Sequence, residues 1–434
     1  LRETKWFAQR RKEKNYWKLA KKSEVVMKAK LNSSALLAWL CALLFVSVMP
    51  LQRVAVQSPA RAAEPKVARI PFEMNGSHIY IQGRVNNSGP LWFVLDTGAY
   101  NSVINQDRAE ELGLKLQEGF HATGAGGTVE SSRASGVTFD FGSVAINNLT
   151  VSTLPLNYLE DTSGRRMDVI LGSELFKKFV VEIDYETKHL NLHDPQGFIY
   201  KGSGEMLPLS FFDNHPYVRA SIQLPGREPI EGEFVIDLGS NFAVTLLPSF
   251  IKQHDLLKSA GKTVLTRGRG VGGEVQMPIG RINSLQLGRF QLNNPVTVFP
   301  SRGTFGRDGK AGNIGSAIMS RFKLIFDYSR ARMIFEPNKK FSEPFEYDMS
   351  GLALTTKSPQ FKGIKVLRVL DDSPAAEAGF KQNDEIVAIN NRPAAEFQLM
   401  QLREMFRKAG REFQMEIKRG DETLKLKLKT RRLI

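Results

Sequence analysis

Along His78-Ile79-Tyr80-Ile81-Gln82-Gly83-Arg84-Val85, apolar and polar side chains alternate. Pro216-Tyr217-Val218-Arg219-Ala220-Ser221-Ile222 keeps the same rhythm. A period of two sends successive side chains to opposite faces, so both stretches predict half-buried β-strands. The run 189–193 reads the same way, and Leu424-Lys425-Leu426-Lys427-Leu428-Lys429 alternates as a strand with one solvated face. Helical spacing is confined to short patches near 106–112, 173–179 and 249–257. A longer one lies at 397–408, where Phe397, Leu399, Leu402, Met405 and Phe406 form an apolar stripe. The pattern predicts a mostly β chain.

The middle of the chain repeats itself. Phe93-Val94-Leu95-Asp96-Thr97-Gly98 returns as Phe234-Val235-Ile236-Asp237-Leu238-Gly239, and Gly124-Ala125-Gly126-Gly127 as Gly270-Val271-Gly272-Gly273. Leu171-Gly172-Ser173 returns as Ile314-Gly315-Ser316, and Phe179, Asp184 and Tyr185 as Phe322, Asp327 and Tyr328. Four blocks in one order at offsets of 141 to 146 residues predict two homologous halves, 67–197 and 203–337. Residues 338–350 read as a linker and 351–434 as a third domain.

Charge changes the picture only once it is located. The 434 residues carry 60 Lys+Arg against 45 Asp+Glu, a net +15. Residues 1–62 hold 13 of those basic groups with three acids, whereas 63–350 is close to neutral. A surface that tracks phosphates needs positive charge clustered on the folded domain, so nucleic acid is excluded as a partner. Residues 36–49 are an apolar run of 14. That is short of the about 20 residues that span a bilayer and suits the hydrophobic region of a signal peptide. Lys28 and Lys30 precede it, Met27 heads the pattern, and Ala60-Arg61-Ala62 supplies a small-x-small cleavage site. The expectation is an exported protein, periplasmic or extracellular, without residues 1–62. Retention of 36–49 as a membrane anchor is the alternative. Cys41, the one Cys, falls inside the run, so the exported part carries no disulfide, thiol nucleophile or Cys-bound zinc.

Asp96 follows the apolar run Leu91-Trp92-Phe93-Val94-Leu95 and precedes a glycine turn, and Asp237 sits in the same way. A carboxylate at the end of a buried strand is rigid and partly desolvated, which shifts its pKa and fixes its geometry. Two halves packed about a pseudo-two-fold axis would bring the carboxylates face to face, where they share a proton. Asp96-Thr97-Gly98-Ala99 resembles the signature of retropepsins. Ile170-Leu171-Gly172 resembles the element that packs beneath that loop, and Gly124-Ala125-Gly126-Gly127 falls where the family has its flap. Residues 67–197 resemble bacterial retropepsin-like aspartic proteases throughout; 203–337 do so more weakly. The resemblance implies two acid-protease β-barrel halves in tandem and a catalytic pair, Asp96 and Asp237. It assigns Thr97, Gly98, Ala99, Gly239, Ser240, Ile170, Leu171 and Gly172 to support of the catalytic loops. It also implies two flaps, the second at Gly270-Val271-Gly272-Gly273. The second half departs from the pattern at Leu238, where the family's Thr reaches across the axis, and at Asn313, where it has an apolar residue. Ser240 is expected to donate to Asp237 and make it the more readily ionised carboxyl, since Ala99 offers Asp96 no side-chain donor.

Gly268 to Gly273 also fit G-x-G-x-x-G, but no helical stretch follows, so a hairpin tip is expected rather than a dinucleotide loop. The chain has no G-x-S-x-G and no H-E-x-x-H. Its six His read as surface or internally bonded residues, and neither a metal nor a cofactor is expected. Residues 351–434 resemble a bacterial PDZ domain. Gly351-Leu352-Ala353-Leu354 stands for the peptide-binding loop and first strand, Asp372 to Phe380 and Asn383 to Asn390 follow the family's later motifs, and 397–408 supplies the helix beside the groove. The PDZ resemblance implies capture of a peptide C-terminus or an extended segment by strand addition. Together these features predict an exported single-chain aspartic endopeptidase acting on peptide or protein substrates. The alternatives are a non-catalytic peptide-binding scaffold and a protease active only as a homodimer of first halves.

Overall fold

The structure, a computed structural model, describes residues 68–301 and 309–434, the side chain of Arg269 aside. The apolar run 36–49, Cys41 and the cleavage site at 60–62 lie outside the described residues. The first half has ten strands: β1 (Ala68–Asn75), β2 (His78–Val85), β3 (Leu91–Leu95), β4 (Val103–Asn105), β5 (Gln117–Gly124), β6 (Gly127–Asp140), β7 (Ala145–Leu154), β8 (Val169–Leu171), β9 (Val180–Asp184) and β10 (His189–His193). The second half follows with β11 (Glu205–Pro208), β12 (Ser210–Phe212), β13 (His215–Gln223), β14 (Ile230–Asp237), β15 (Val244–Leu246), β16 (Val264–Gly270) and β17 (Gly273–Arg281). It ends with β18 (Ser284–Leu287), β19 (Phe290–Asn293), β20 (Val296–Val298), β21 (Gly312–Gly315), β22 (Phe322–Asp327) and β23 (Arg332–Pro337).

The halves are joined by hydrogen bonding, not only by packing. Strands β9 and β22 pair antiparallel, with Leu324 opposite Ile183 and Phe326 opposite Val181. The shared region runs β11-β23-β22-β9-β10-β1 and is symmetric end to end, because each strand on one side has its repeat-mate on the other. Within each half the strand that leads into the repeated Asp turn pairs in parallel with the strand of the Leu-Gly block: β3 with β8 and β14 with β21. The strand expected at 78–85 is present, but Ile79, Tyr80 and Ile81 are all buried. Ile79 and Ile81 face the main core, while Tyr80 belongs to a second cluster with Val94, Leu154 and Ile170 beneath the cleft. Tyr80 is where the alternation breaks; beyond it Gln82 and Arg84 are exposed, as the pattern predicts.

The stretch 338–350 holds no helix or strand among its residues, yet it is strapped down. Buried Arg321 donates to the carbonyls of Lys340 and Phe341 at 3.2 Å, Pro344 at 3.1 Å, and Glu343. Its guanidinium lies 3.6 Å from the centre of the Phe345 ring. The third domain forms a sheet β24-β25-β26-β28-β29, comprising β24 (Leu352–Lys357), β25 (Lys362–Val369), β26 (Glu385–Ile389), β28 (Glu412–Arg419) and β29 (Glu422–Lys429), with β27 (Arg392–Pro393) beside β26. The stripe at 397–408 becomes the helix Leu399–Met405, with Leu399 and Leu402 buried. Phe322 is 0% exposed and packs edge-on against Phe335 and Phe341, with Phe290 tilted beside it, so one ring ties the shared sheet to the strap. Phe322→Ala should lower stability by about 4 kcal/mol, read as a fall in the urea midpoint; an unchanged midpoint would show that this cluster does not hold the strap.

Candidate active site

Asp96 ends the β3 run and Asp237 closes β14. Each carboxyl is fixed by its own turn: Gly98 N–H donates to Asp96 Oδ1 and Gly239 N–H to Asp237 Oδ1, both at 2.8 Å. The two turns face each other so closely that glycine is required. A Cβ on Gly98 would stand 2.7 Å from Asp237 Cγ, and one on Gly239 would overlap the Asp96 carboxyl. The two carboxyls are hydrogen-bonded to each other. Ile170 and Leu171 pair with Val94 and Leu95, and Leu171 O accepts the Asp96 N–H at 3.0 Å. Gly172 passes against Asn101 and donates its N–H to Ser102 Oγ at 2.9 Å, locking the outer limb of the first loop.

Across the axis, buried Thr97 donates its hydroxyl to Ile236 O at 2.7 Å and accepts the Leu238 N–H at 3.0 Å. Leu238 returns nothing; its side chain is buried in the core and its carbonyl accepts from Ser316 Oγ at 2.7 Å. The lock is one-sided. Ser240 closes its turn with an N–H to Asp237 O at 3.4 Å, as Ala99 does to Asp96 O. The donors that Asp237 has are Gly239 N–H and Asn313 Nδ2, not the Ser240 hydroxyl. The expected Ser240 contact therefore gives way to Asn313, which reaches the carboxyl because β21 runs parallel to β14 with Asn313 beside Val235.

The titration order reverses with it. Burial first, then the charge of Asp96, hold the Asp237 carboxyl well above the ordinary Asp value despite its two donors. Burial also raises Asp96, but the Gly98 N–H, a hydrogen bond from Asp237 and the nearby His78 and His215 pull it back. Asp237, 6% exposed, keeps the shared proton, and Asp96, open to the cleft, is the readier anion.

Two hairpins close over the pair. β5–β6 turns at Ala125-Gly126 and β16–β17 at Val271-Gly272, the latter as the hairpin tip expected in place of a dinucleotide loop. The tips meet: Gly126 N–H donates to Val271 O at 2.8 Å. A Cβ on Gly126 or Gly272 would collide with the opposite backbone at Gly273 or Gly127. Gly124 and Gly270 flank the tips against Val271 and Ala125. Beneath lies a cleft of about 2460 Å³ lined by Asp96, Asp237, both hairpins and one face of the third domain.

Leu352, Ala353 and Leu354 lie on that third-domain wall, at the start of the edge strand β24; Gly351, just before the strand, is not part of the lining. Several of their backbone groups are already engaged. Gly351 N–H donates to Asp348 Oδ2 at 2.6 Å, Leu352 N–H to Ser350 Oγ at 3.0 Å, and Leu354 O accepts from Arg403 Nη2 at 2.9 Å; Ala353 pairs with Arg368 on β25. Burial pushes the Asp348 carboxyl up to about 6. Farther along, Thr355 and Thr356 donate to Asp161 O and Ser358 N–H to Asp161 Oδ1, docking the strand on the helix Asn157–Ser163 of the first half. Arg368 donates to Arg267 O on the β16–β17 hairpin at 3.2 Å.

His78 and His215 escaped the sequence reading. Both line the cleft, and the signal that could have found them is His-x-Tyr repeated at equivalent places, His78 before Tyr80 and His215 before Tyr217. Among the described residues no three His, Cys, Asp or Glu side chains group as a metal site.

Two β halves that share a sheet, with one carboxyl from each under paired hairpins, define a tandem retropepsin-like fold. Residues 81–175 and 220–317 match the aspartyl protease family model, and 336–430 match the PDZ domain model; the chain is a tandem aspartyl-protease architecture carrying a C-terminal PDZ domain. A search of curated proteins gives no match.

Because Asp237 is raised in the folded state, the stability it contributes is complete below the ordinary carboxyl value near 4 and is lost as pH rises through the raised value. Asp237→Asn removes that dependence. The variant's thermal midpoint minus the parent's should be smallest below about pH 4 and widen toward neutrality; a difference flat with pH would show that Asp237 does not hold the proton.

Proposed function

We propose that the protein is an exported aspartic endopeptidase in which one chain supplies both catalytic carboxyls. The observation that carries this reading is the mutual approach of Asp96 and Asp237 at the ends of β3 and β14, each turn fitting the other only because Gly98 and Gly239 lack a Cβ. Water held between the carboxyls is deprotonated by the Asp96 carboxylate, while Asp237, protonated, donates to the scissile carbonyl oxygen. The tetrahedral adduct collapses as a carboxyl proton passes to the leaving amine, with no covalent enzyme intermediate. The flaps exclude bulk water from the reacting bond, which strengthens every charge interaction inside. The PDZ wall of the cleft favours an extended segment of the substrate over a free C-terminus, since Asp348 already draws the Ser350 and Gly351 N–H groups. Export rests on the apolar run 36–49 and the Ala60-Arg61-Ala62 site.

Asp96→Asn and Asp237→Asn should each lower turnover of a mixed peptide library by about 1,000-fold or more. Pepstatin should inhibit the parent, whose activity per chain should not vary with concentration. If only Asp96→Asn is lethal and activity rises with the square of concentration, first halves from two chains form the site. A parent that binds peptides without cleaving them is a scaffold.

N-terminal sequencing of the protein recovered from its producing cell should begin near Ala63. An intact chain soluble in the cytoplasm would overturn export.

A further inference from the structure

The loops that carry the carboxyls are clasped from the opposite half by a device that occurs twice. His78 Nε2 lies 2.9 Å from Gly239 O, and His215 Nε2 lies 3.0 Å from Gly98 O. The residue before each His crosses as well: Ser77 Oγ donates to Asn241 Oδ1 at 2.6 Å and Asn214 Nδ2 to Tyr100 O at 3.5 Å. His78 opens β2 and His215 opens β13, and the register agrees, since Tyr80 stands opposite Val94 as Tyr217 stands opposite Val235. The turn before β2 thus holds the second catalytic loop, and the turn before β13 holds the first. A carbonyl oxygen only accepts, so each imidazole presents a protonated Nε2 to it.

The two clasps matter unequally because the threonine lock is one-sided. The second loop is held from across the axis both by Thr97, through Ile236 O and Leu238 N–H, and by His78. The first loop receives no hydroxyl from Leu238; the Leu238 N–H reaches the Thr97 side chain, while the loop's own carbonyls are held from the other half by His215 at Gly98 and, more weakly, by Asn214 at Tyr100. We propose that His215 is a positioning residue for Asp96, doing from the second half what the absent second threonine hydroxyl would do, with His78 as a partly redundant repeat-mate. The inference rests on the protease reading above. It deepens that reading by naming what keeps the reacting carboxyl in register: Gly98 both carries the carbonyl that His215 holds and donates the N–H that orients Asp96 Oδ1.

The test uses the full chain and a peptide that the parent cleaves. His215→Leu should lower kcat by about 30- to 100-fold, the scale of a small misplacement of a reacting group, with KM within about threefold. His215→Gln, which can place an amide N–H toward the same carbonyl, should retain most of kcat. His78→Leu should lose only about threefold to tenfold, since Thr97 still holds its loop. Adding Leu238→Thr to His215→Leu should recover at least about tenfold in kcat, because the new hydroxyl can reach the first loop. Equal losses in His215→Leu and His215→Gln, a loss confined to KM, or no recovery with Leu238→Thr would each overturn the assignment. Long-range proton–nitrogen NMR of the 15N-histidine-labelled parent gives a readout free of activity: both His78 and His215 should carry a proton on Nε2. A bare Nε2 at His215 would sink the clasp even if a variant loses activity through misfolding. A parent that cleaves nothing while both Nε2 atoms are protonated defeats the protease reading and, with it, the catalytic role of the clasp.

Discussion

Asp96 and Asp237 repel each other when both are charged, and the repulsion grows as water is removed from around them. Keeping two carboxyls in hydrogen-bond contact at the seam between two halves is the constraint on which the surrounding structure depends. It sets the backbone of both turns, where any side chain at Gly98 or Gly239 would strike the opposite carboxyl. It also settles the protonation pattern. Of the two groups, the more buried Asp237 holds the proton more tightly, and Asp96, drawn back by both imidazoles, is the readier anion. The asymmetry between the two carboxyls thus comes from small departures from symmetry in an arrangement that is otherwise two-fold.

Holding that pair requires the halves to behave as one body. Pairing of β9 with β22 makes a continuous hydrogen-bonded sheet across the axis, so the loops above it start from a common platform. Thr97 stitches one loop to the other half and the two His clasps stitch both. Loss of the second threonine is therefore not a loss of the seam. Asn313 fits the same picture: in sequence it stands where an apolar residue would pack, and in space it donates to the buried Asp237 carboxyl. A polar side chain in that position is supported by the buried carboxyl oxygen that accepts from it.

The PDZ domain is built into the cleft. The strap 338–350 is held by Arg321 through four carbonyls, β24 is docked on the helix Asn157–Ser163 through Asp161, and β25 touches the β16–β17 hairpin through Arg368. A segment that reads as a connector thereby orients a third wall, and the edge that would accept a peptide strand looks into the same cavity as the dyad.

The local rules of the chain were enough for much of this. Alternation located β2 and β13, and the stripe at 397–408 located the helix Leu399–Met405. Four repeated blocks defined two homologous halves, and the Asp-x-Gly turns marked where two carboxyls would stand, because strand period and turn chemistry are properties of neighbouring residues. Which groups meet across the axis was left to the tertiary structure. His78 and Gly239 are 161 residues apart, and Asn313 and Asp237 are 76 apart, so no periodicity links them. The choice of Asn313 over Ser240 as a donor to Asp237 follows from the parallel register of β21 on β14, and the direction in which the shared proton leans follows from unequal burial. Both depend on distances between segments that only the packed halves create.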